Sequence, residues 1–211
     1  MRLRLLEVSV SRAKAIGTLH GEAVLSGIDK TPIASQVAVR TLGIEGDEQA
    51  DLSVHGGADK AIYAYPSEHW PWWDSEKHLP CRAATFGENL TTEGADEQTV
   101  AIGDRFRWDD CVLEVSQPRA PCYKLAMHTG RPDVPQAMTL STRCGWYFRV
   151  VEEGRPVSRM LERIAASGNI TVHDAFRALF DRHADRSVLL RVHDTPQLAE
   201  AWRRGIARKM G

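Results

Sequence analysis

The sequence predicts a mainly β fold, a barrel or sandwich of short strands, followed by a small α-helical module. Over roughly the first 150 residues, short runs of β-forming side chains alternate with Gly, Pro, Asn and Asp turns. After about Pro156, apolar residues fall instead at helical spacing. We therefore divide the chain into residues 1–155, the β domain, and 156–211, the helical module. With 211 residues, 43% hydrophobic and 26% charged, the chain has the balance of a soluble protein with a substantial core.

In chain order, Leu3 and Leu5 alternate with Arg2 and Arg4, a strand pattern. The same charges break the apolar centre that a secretory signal needs. Lys60 to Tyr65, KAIYAY, is a second strand. Ser67 to Lys77 opens a short helix, with Pro71 limiting its upstream reach. Asp104–Trp108 and Cys111–Ser116 flank Asp109-Asp110 as a hairpin. Cys144 to Val151, CGWYFRVV, is another strand, ended by Glu153-Gly154.

In the module, Met160, Leu161, Ile164 and Ala165 predict a short helix stopped by Gly168. Val172, Ala175, Phe176, Leu179 and Phe180 predict a second, with Thr171 and Asp174 as its capping pair. Thr195-Pro196 predicts an N-cap followed by proline at the first helical position. Leu198, Trp202 and Ile206 then share one face.

A net charge of −1 gives no bulk attraction to nucleic acid or an anionic membrane surface. No apolar run approaches the roughly 18 residues of a membrane span. Residues 151–211 carry eleven Lys and Arg against eight Asp and Glu, a net +3 that reads as a solvated surface. Four widely spaced cysteines with no C-x-x-C point to free thiols in a cytoplasmic protein. Asn169-Ile170-Thr171 matches a glycosylation triplet, which has no meaning without a secretory context.

The chemistry concentrates in SQPRAPCYKL, residues 116–125. A lone cysteine is by type a small buried hydrophobe. Around Cys122, however, Pro118 and Pro121 stiffen the chain after a strand, where functional residues tend to sit. Arg119 and Lys124 favour a thiolate, the form that binds metals and attacks electrophiles. Cys111 and Cys144 lie inside apolar strands and Cys81 in a loop, so Cys122 is the candidate. A Cys–His hydrolase needs a histidine base, and no local signature selects among His55, His69 and His128. The cysteines lack the pairing of a structural zinc site.

Two further segments accompany it. In VHGGADK, His55 precedes two glycines whose backbone N–H groups can cradle an anion, and Lys60 can reach the same anion. An ordinary Gly-rich hairpin with a surface lysine fits the local pattern equally. In FGENLT, Gly87 permits an unusual backbone angle, and Asn89 offers a donor and an acceptor suited to the edge of a heterocycle. By itself that segment is a turn. Trp70, Trp72, Trp73 and Trp108 can stack a planar ring, although core packing is the commoner use.

The ordered set GIEGDEQAD, VHGGADKAIYAYPSEHW, FGENLT and IGDRFRWDDCVLEVSQPRAPCYKL resembles the MOSC domain, named for the C-terminal domain of molybdenum cofactor sulfurase. The likeness is greatest to the YiiM-like bacterial branch, in which a three-helix module follows the barrel. The resemblance implies a β-barrel-like fold binding a molybdopterin-type molybdenum cofactor. By position, Cys122 would be the catalytic thiolate ligand to molybdenum. His55, Gly56, Lys60, Asn89, Leu90 and Arg119 would line the cofactor pocket. Lys30 and Asp47 match positions near the site. The implied activity is reduction of N-hydroxylated compounds, such as N-hydroxylated purines, to amines. With no Rossmann fingerprint or iron–sulfur spacing in the chain, an external flavoprotein would supply electrons. The alternative is a non-redox carrier of sulfur or of the cofactor that uses Cys122.

Overall fold

The computed structural model describes residues 1–34, 36–50, 56–168 and 170–211. The first strands are β1 (Arg2–Val10), β2 (Lys14–Leu19), β3 (Glu22–Ser26), β4 (Thr31–Pro32), β5 (Val39–Arg40) and β6 (Gly43–Ile44). After a 3₁₀ turn at Ala58–Lys60 come β7 (Ile62–Pro66), helix α1 (Trp70–Lys77) and β8 (Leu90–Glu93). The hairpin β9 (Arg105–Trp108) and β10 (Cys111–Pro118) leads into α2 (Tyr123–Thr129) and α3 (Val134–Ser141). Strands β11 (Trp146–Glu152) and β12 (Met160–Ala165) then precede α4 (Val172–Phe180), α5 (Arg186–His193) and α6 (Glu200–Met210).

Seven strands close a mixed barrel in the order β12-β9-β10-β11-β7-β8-β1, because β1 also pairs with β12. β7 and β8 are parallel, and the other barrel pairs are antiparallel. Closure removes the open strand edges on which sheets aggregate. Inside lie Leu3, Ile62, Leu90, Leu113, Phe106, Trp146 and Phe148, all fully buried. Phe106 and Trp146 both meet Phe148 edge-on, with ring centroids 5.8 and 6.2 Å away.

The expected strands at the N-terminus, in KAIYAY, around Asp109-Asp110 and in CGWYFRVV are present. Met160–Ala165 is a correction, being strand rather than helix. Leu161 is buried between exposed Met160 and Glu162, a period-2 pattern. The segment pairs with Arg2–Arg4 on one side and Arg105–Arg107 on the other, so it joins the two edges left open by β1 and β9. The sheet thus continues past residue 155.

The helical module is α4 to α6. Thr171 and Asp174 form a full capping box at α4. Phe176, Phe180 and Trp202 cluster where α4 meets α6, and Trp202 Nε1 donates to Ala175 O at 3.0 Å. Helix α6 starts at Glu200, not at Pro196. Thr195 to Leu198 form a turn whose carbonyls accept from the Arg203 guanidinium. That turn supplies the helix with Ala199, whose N–H donates to Ser116 O at 2.9 Å and fastens the module to β10. Among the described residues, no helix is long and apolar enough to cross a membrane.

Candidate functional site

The fold gathers side chains from distant segments at one solvent-connected cleft. The 3₁₀ turn before β7 brings Lys60, the turn into β8 brings Gly87 and Asn89, and the end of β10 brings Arg119. Cys122 stands in extended conformation immediately before α2, so its thiol occupies the strand-to-helix connection. Pro118 ends β10 opposite Trp146, and Pro121 leaves little freedom before the cysteine. Tyr63 and Tyr147 form an aromatic wall. The other three cysteines are elsewhere, and burial pushes the Cys81 and Cys111 thiols up to about 12 and Cys144 well above its usual range.

Cations dominate the cleft. Lys30, Lys60, Arg119 and Lys124 line it, against the carboxylates of Asp47 and Glu48. Lys30 and Asp47 form a nearly buried ion pair, while Glu48 Oε2 accepts from Ala13 N at 3.0 Å. Burial lowers the Lys60 pKa, opposed by Asp59 and Cys122. Burial likewise disfavours the Arg119 charge, but Tyr63, Tyr147 and Cys122 outweigh it and raise the pKa. The Arg119 guanidinium lies over the Tyr63 ring at 5.4 Å, and Nη1 donates to Met138 Sδ at 3.2 Å. Lys124 donates to Leu25 O at 3.1 Å, tying α2 to β3 at the cleft's edge.

Asn89 is a structural hub as well as a lining residue. Oδ1 accepts from Tyr63 N at 3.0 Å, and Nδ2 donates to Ser9 O at 3.2 Å and Asp47 Oδ2 at 2.9 Å. Both amide hydrogens therefore have protein acceptors, and the side chain shapes the wall by fixing β1, β7 and Asp47 together. Leu90 points into the barrel core and is fully buried, so it supports the wall from behind. Gly56 is half-buried and is not a lining residue. His55 lies outside the described residues.

Lys30, Asp47, Tyr63 and Tyr147 complete the site, and only the first two had any sequence signal, their position in the MOSC resemblance. None of Trp70, Trp72, Trp73 and Trp108 lines the cleft: Trp73 and Trp108 pack in the core, and Trp72 lies under Arg143 at 4.4 Å. Among the described residues no histidine lines the cleft, and no group of three His, Cys, Asp or Glu is placed to hold a metal. What the cleft offers is one soft sulfur donor in a cationic, partly desolvated setting, next to Gly87 where a side chain would collide with Ile28.

A closed mixed barrel with a cysteine-bearing cationic cleft, followed by three helices, defines a MOSC-type protein. Residues 51–176 match the MOSC domain, and 170–209 match the YiiM-like, 3-alpha helix domain. The chain belongs to the MOSC family, in its YiiM-like branch. It is 35% identical to Protein YiiM of Escherichia coli (strain K12) over 194 residues, covering 90% of this chain and 87% of that protein. The crystal structure of YiiM from Geobacillus stearothermophilus superposes with a TM-score of 0.81 at 31% identity, covering 99% and 100% of the two chains. A protein named Reductase from Gibberella moniliformis (strain M3125 / FGSC 7600) is 36% identical over 154 residues, 71% of this chain but 27% of that longer protein. MOSC domains are associated with the molybdenum cofactor, which places this chain in cofactor-related chemistry.

Proposed function

We propose that this chain is a cytoplasmic molybdenum-dependent reductase that converts N-hydroxylated compounds to amines, with electrons from a partner flavoprotein. The observation that carries the reading is Cys122: of the four free cysteines, it is the one lining the cationic cleft. The residues fit the cofactor by donor chemistry. A thiolate suits a soft, redox-active metal, and Lys60 and Arg119 suit the anionic phosphate of a pterin. The name of the Gibberella relative supports an oxidoreductase over a carrier.

Bound in the cleft, the cofactor would supply the two-electron chemistry that turns R–NHOH, two protons and two electrons into R–NH₂ and water. Cys122 Sγ would be the protein's ligand to the metal, held in place by the short connection between β10 and α2. Lys60 and Arg119 would hold the phosphate, and Lys30 would keep Asp47 from repelling it. Tyr63 and Tyr147 would present an aromatic wall to the bound group.

The test is to purify wild-type chain and Cys122→Ser from cells able and unable to make the cofactor. Molybdenum would be measured by elemental analysis, and 6-hydroxylaminopurine reduction with an artificial electron donor. Stoichiometric molybdenum and activity are expected only in wild-type protein from competent cells. Equal activity from both kinds of cell would overturn the reading. Tightly held molybdenum without reduction would leave the carrier role in its place.

A further inference from the structure

We infer that the groove between the helical module and the barrel is the substrate's ring-binding subsite. Resting on the reductase reading, the inference assigns to it a planar aromatic N-hydroxylated molecule bearing a carboxylate or phosphate group. Trp202 and Gly205 of α6 and Leu179 of α4 form its floor, with Ala201 at its edge. Lys60 and Ala120 line both this groove and the cleft of Cys122, so the two spaces adjoin. A ring lying on α6 can therefore present its N–OH group toward the thiol.

Three features of the groove point to a ligand. Gln117 lines it and is 3% exposed; its Nε2 donates to Pro118 O at 3.2 Å, while Oε1 has no hydrogen-bond partner among the described residues. A buried acceptor left unpaired is unfavourable, and the N–H or O–H of a hydroxylamino group would satisfy it.

The second feature is Gly205, a residue that weakens a helix interior. A Cβ there would stand 3.1 Å from Leu179 Cδ1 and occupy the floor. The glycine keeps that surface flat and open to a ring. The third is charge. Arg208 Nη2 lies 4.0 Å from the same Cβ position, Lys60 and Lys209 also line the groove, and among the described residues no carboxylate does. An apolar floor under a guanidinium suits a ring with an anionic substituent.

The experiment compares 6-hydroxylaminopurine with its ribonucleoside 5′-monophosphate, using cofactor-loaded full chain and an artificial donor. Ala201→Trp, which fills the groove from an exposed position, should raise KM about tenfold for both substrates while molybdenum content and Tm stay at wild-type values. Gln117→Met should raise both KM values by a similar factor. Arg208→Gln should raise KM for the nucleotide about fivefold and leave the free base nearly unchanged. Unchanged KM in Ala201→Trp would overturn the subsite. Calorimetric binding of the nucleotide to chain from cofactor-deficient cells separates this from the reductase reading. Binding weakened by Ala201→Trp supports the groove even if no reduction occurs, and binding indifferent to it rejects the groove even if reduction occurs.

Discussion

Lys30 and Asp47 pair through their side chains inside the wall of the cleft, where both are almost fully buried. Asp47 Oδ1 also accepts from Ser11 N at 2.9 Å, and Oδ2 accepts from Asn89 Nδ2 at 2.9 Å. One carboxylate thus joins two loops, the end of β1 and the turn into β8. Burial lowers the Lys30 pKa, and Asp47 opposes that effect. Removing one member of such a pair leaves a desolvated charge with no counterion. Asp47→Ala is expected to cost about 3–5 kcal/mol in denaturant unfolding. The double variant Lys30→Met/Asp47→Leu should lose less than Asp47→Ala alone. Additive losses from Lys30→Met and Asp47→Leu would show that the two side chains are not coupled.

Gly87, in the same turn into β8 as Asn89, holds a neighbouring part of the wall in place. Its φ of +79° is a conformation that residues with a side chain rarely adopt, and a Cβ there would collide with the Ile28 side chain. Since Ile28 also lines the cleft, relief of the collision would displace the wall. Gly87→Ala should therefore lower stability by roughly 1–3 kcal/mol in thermal unfolding. Molybdenum retained per chain should fall as well. Destabilisation with full retention would mean that the Ile28 segment moves without disturbing the site.

The barrel was legible where side-chain alternation is local, as in Arg2–Leu5 and the hairpin at Asp109-Asp110. Met160–Ala165 misled because its apolar residues fall in adjacent pairs at helical spacing, and the decision for a strand came from β1 and β9, far away in sequence. Helices α2 and α3 are only seven and eight residues long, too short for a periodic signal, and α3 carries Pro135 in its first turn. At the site, Cys122, Lys60 and Arg119 stand in short motifs whose chemistry is visible residue by residue. Tyr63 and Tyr147 are strand residues with no mark but their type. They reach the cleft because β7 and β11 are neighbours, a fact of topology. Leu90 belongs to a motif yet faces the core, because alternation along β8 alone decides its side.

Arg149 anchors the turn that carries Lys60. Its guanidinium bonds Asp59 Oδ1 through Nε at 2.9 Å and Glu114 Oε1 through Nη1 at 2.8 Å. Ser116 Oγ, on β10, adds a bond to Asp59 O at 2.5 Å. Arg149→Met would leave buried Glu114 with Arg105, at 2.6 Å, as its remaining ion-pair partner. The expected cost is about 1–3 kcal/mol in denaturant unfolding. Cofactor retention should weaken too, because Lys60 loses its fixed position. Arg149→Lys keeps the charge but not the forked geometry, so it should restore stability only in part. Full recovery in the lysine variant would make the anchor purely electrostatic.

Glu88 makes stability depend on pH. The carboxyl is fully buried and accepts from Ala84 N at 2.8 Å, Phe86 N at 3.0 Å and Thr91 Oγ1 at 3.0 Å. Burial outweighs those bonds and raises its pKa from 4.5 to about 7. Between these values the folded chain keeps a proton that the unfolded chain has released. The corresponding stability is fully present below pH 4.5 and is lost as pH rises through about 7. Glu88→Gln cannot titrate, so it provides the baseline. The stability of wild-type chain relative to this variant should fall by up to roughly 3 kcal/mol across the window. Guanidinium unfolding of both proteins at several pH values measures the gap. A gap that stayed constant would mean that Glu88 is ionised across the window in the folded chain as in the unfolded one, its three hydrogen bonds offsetting its burial.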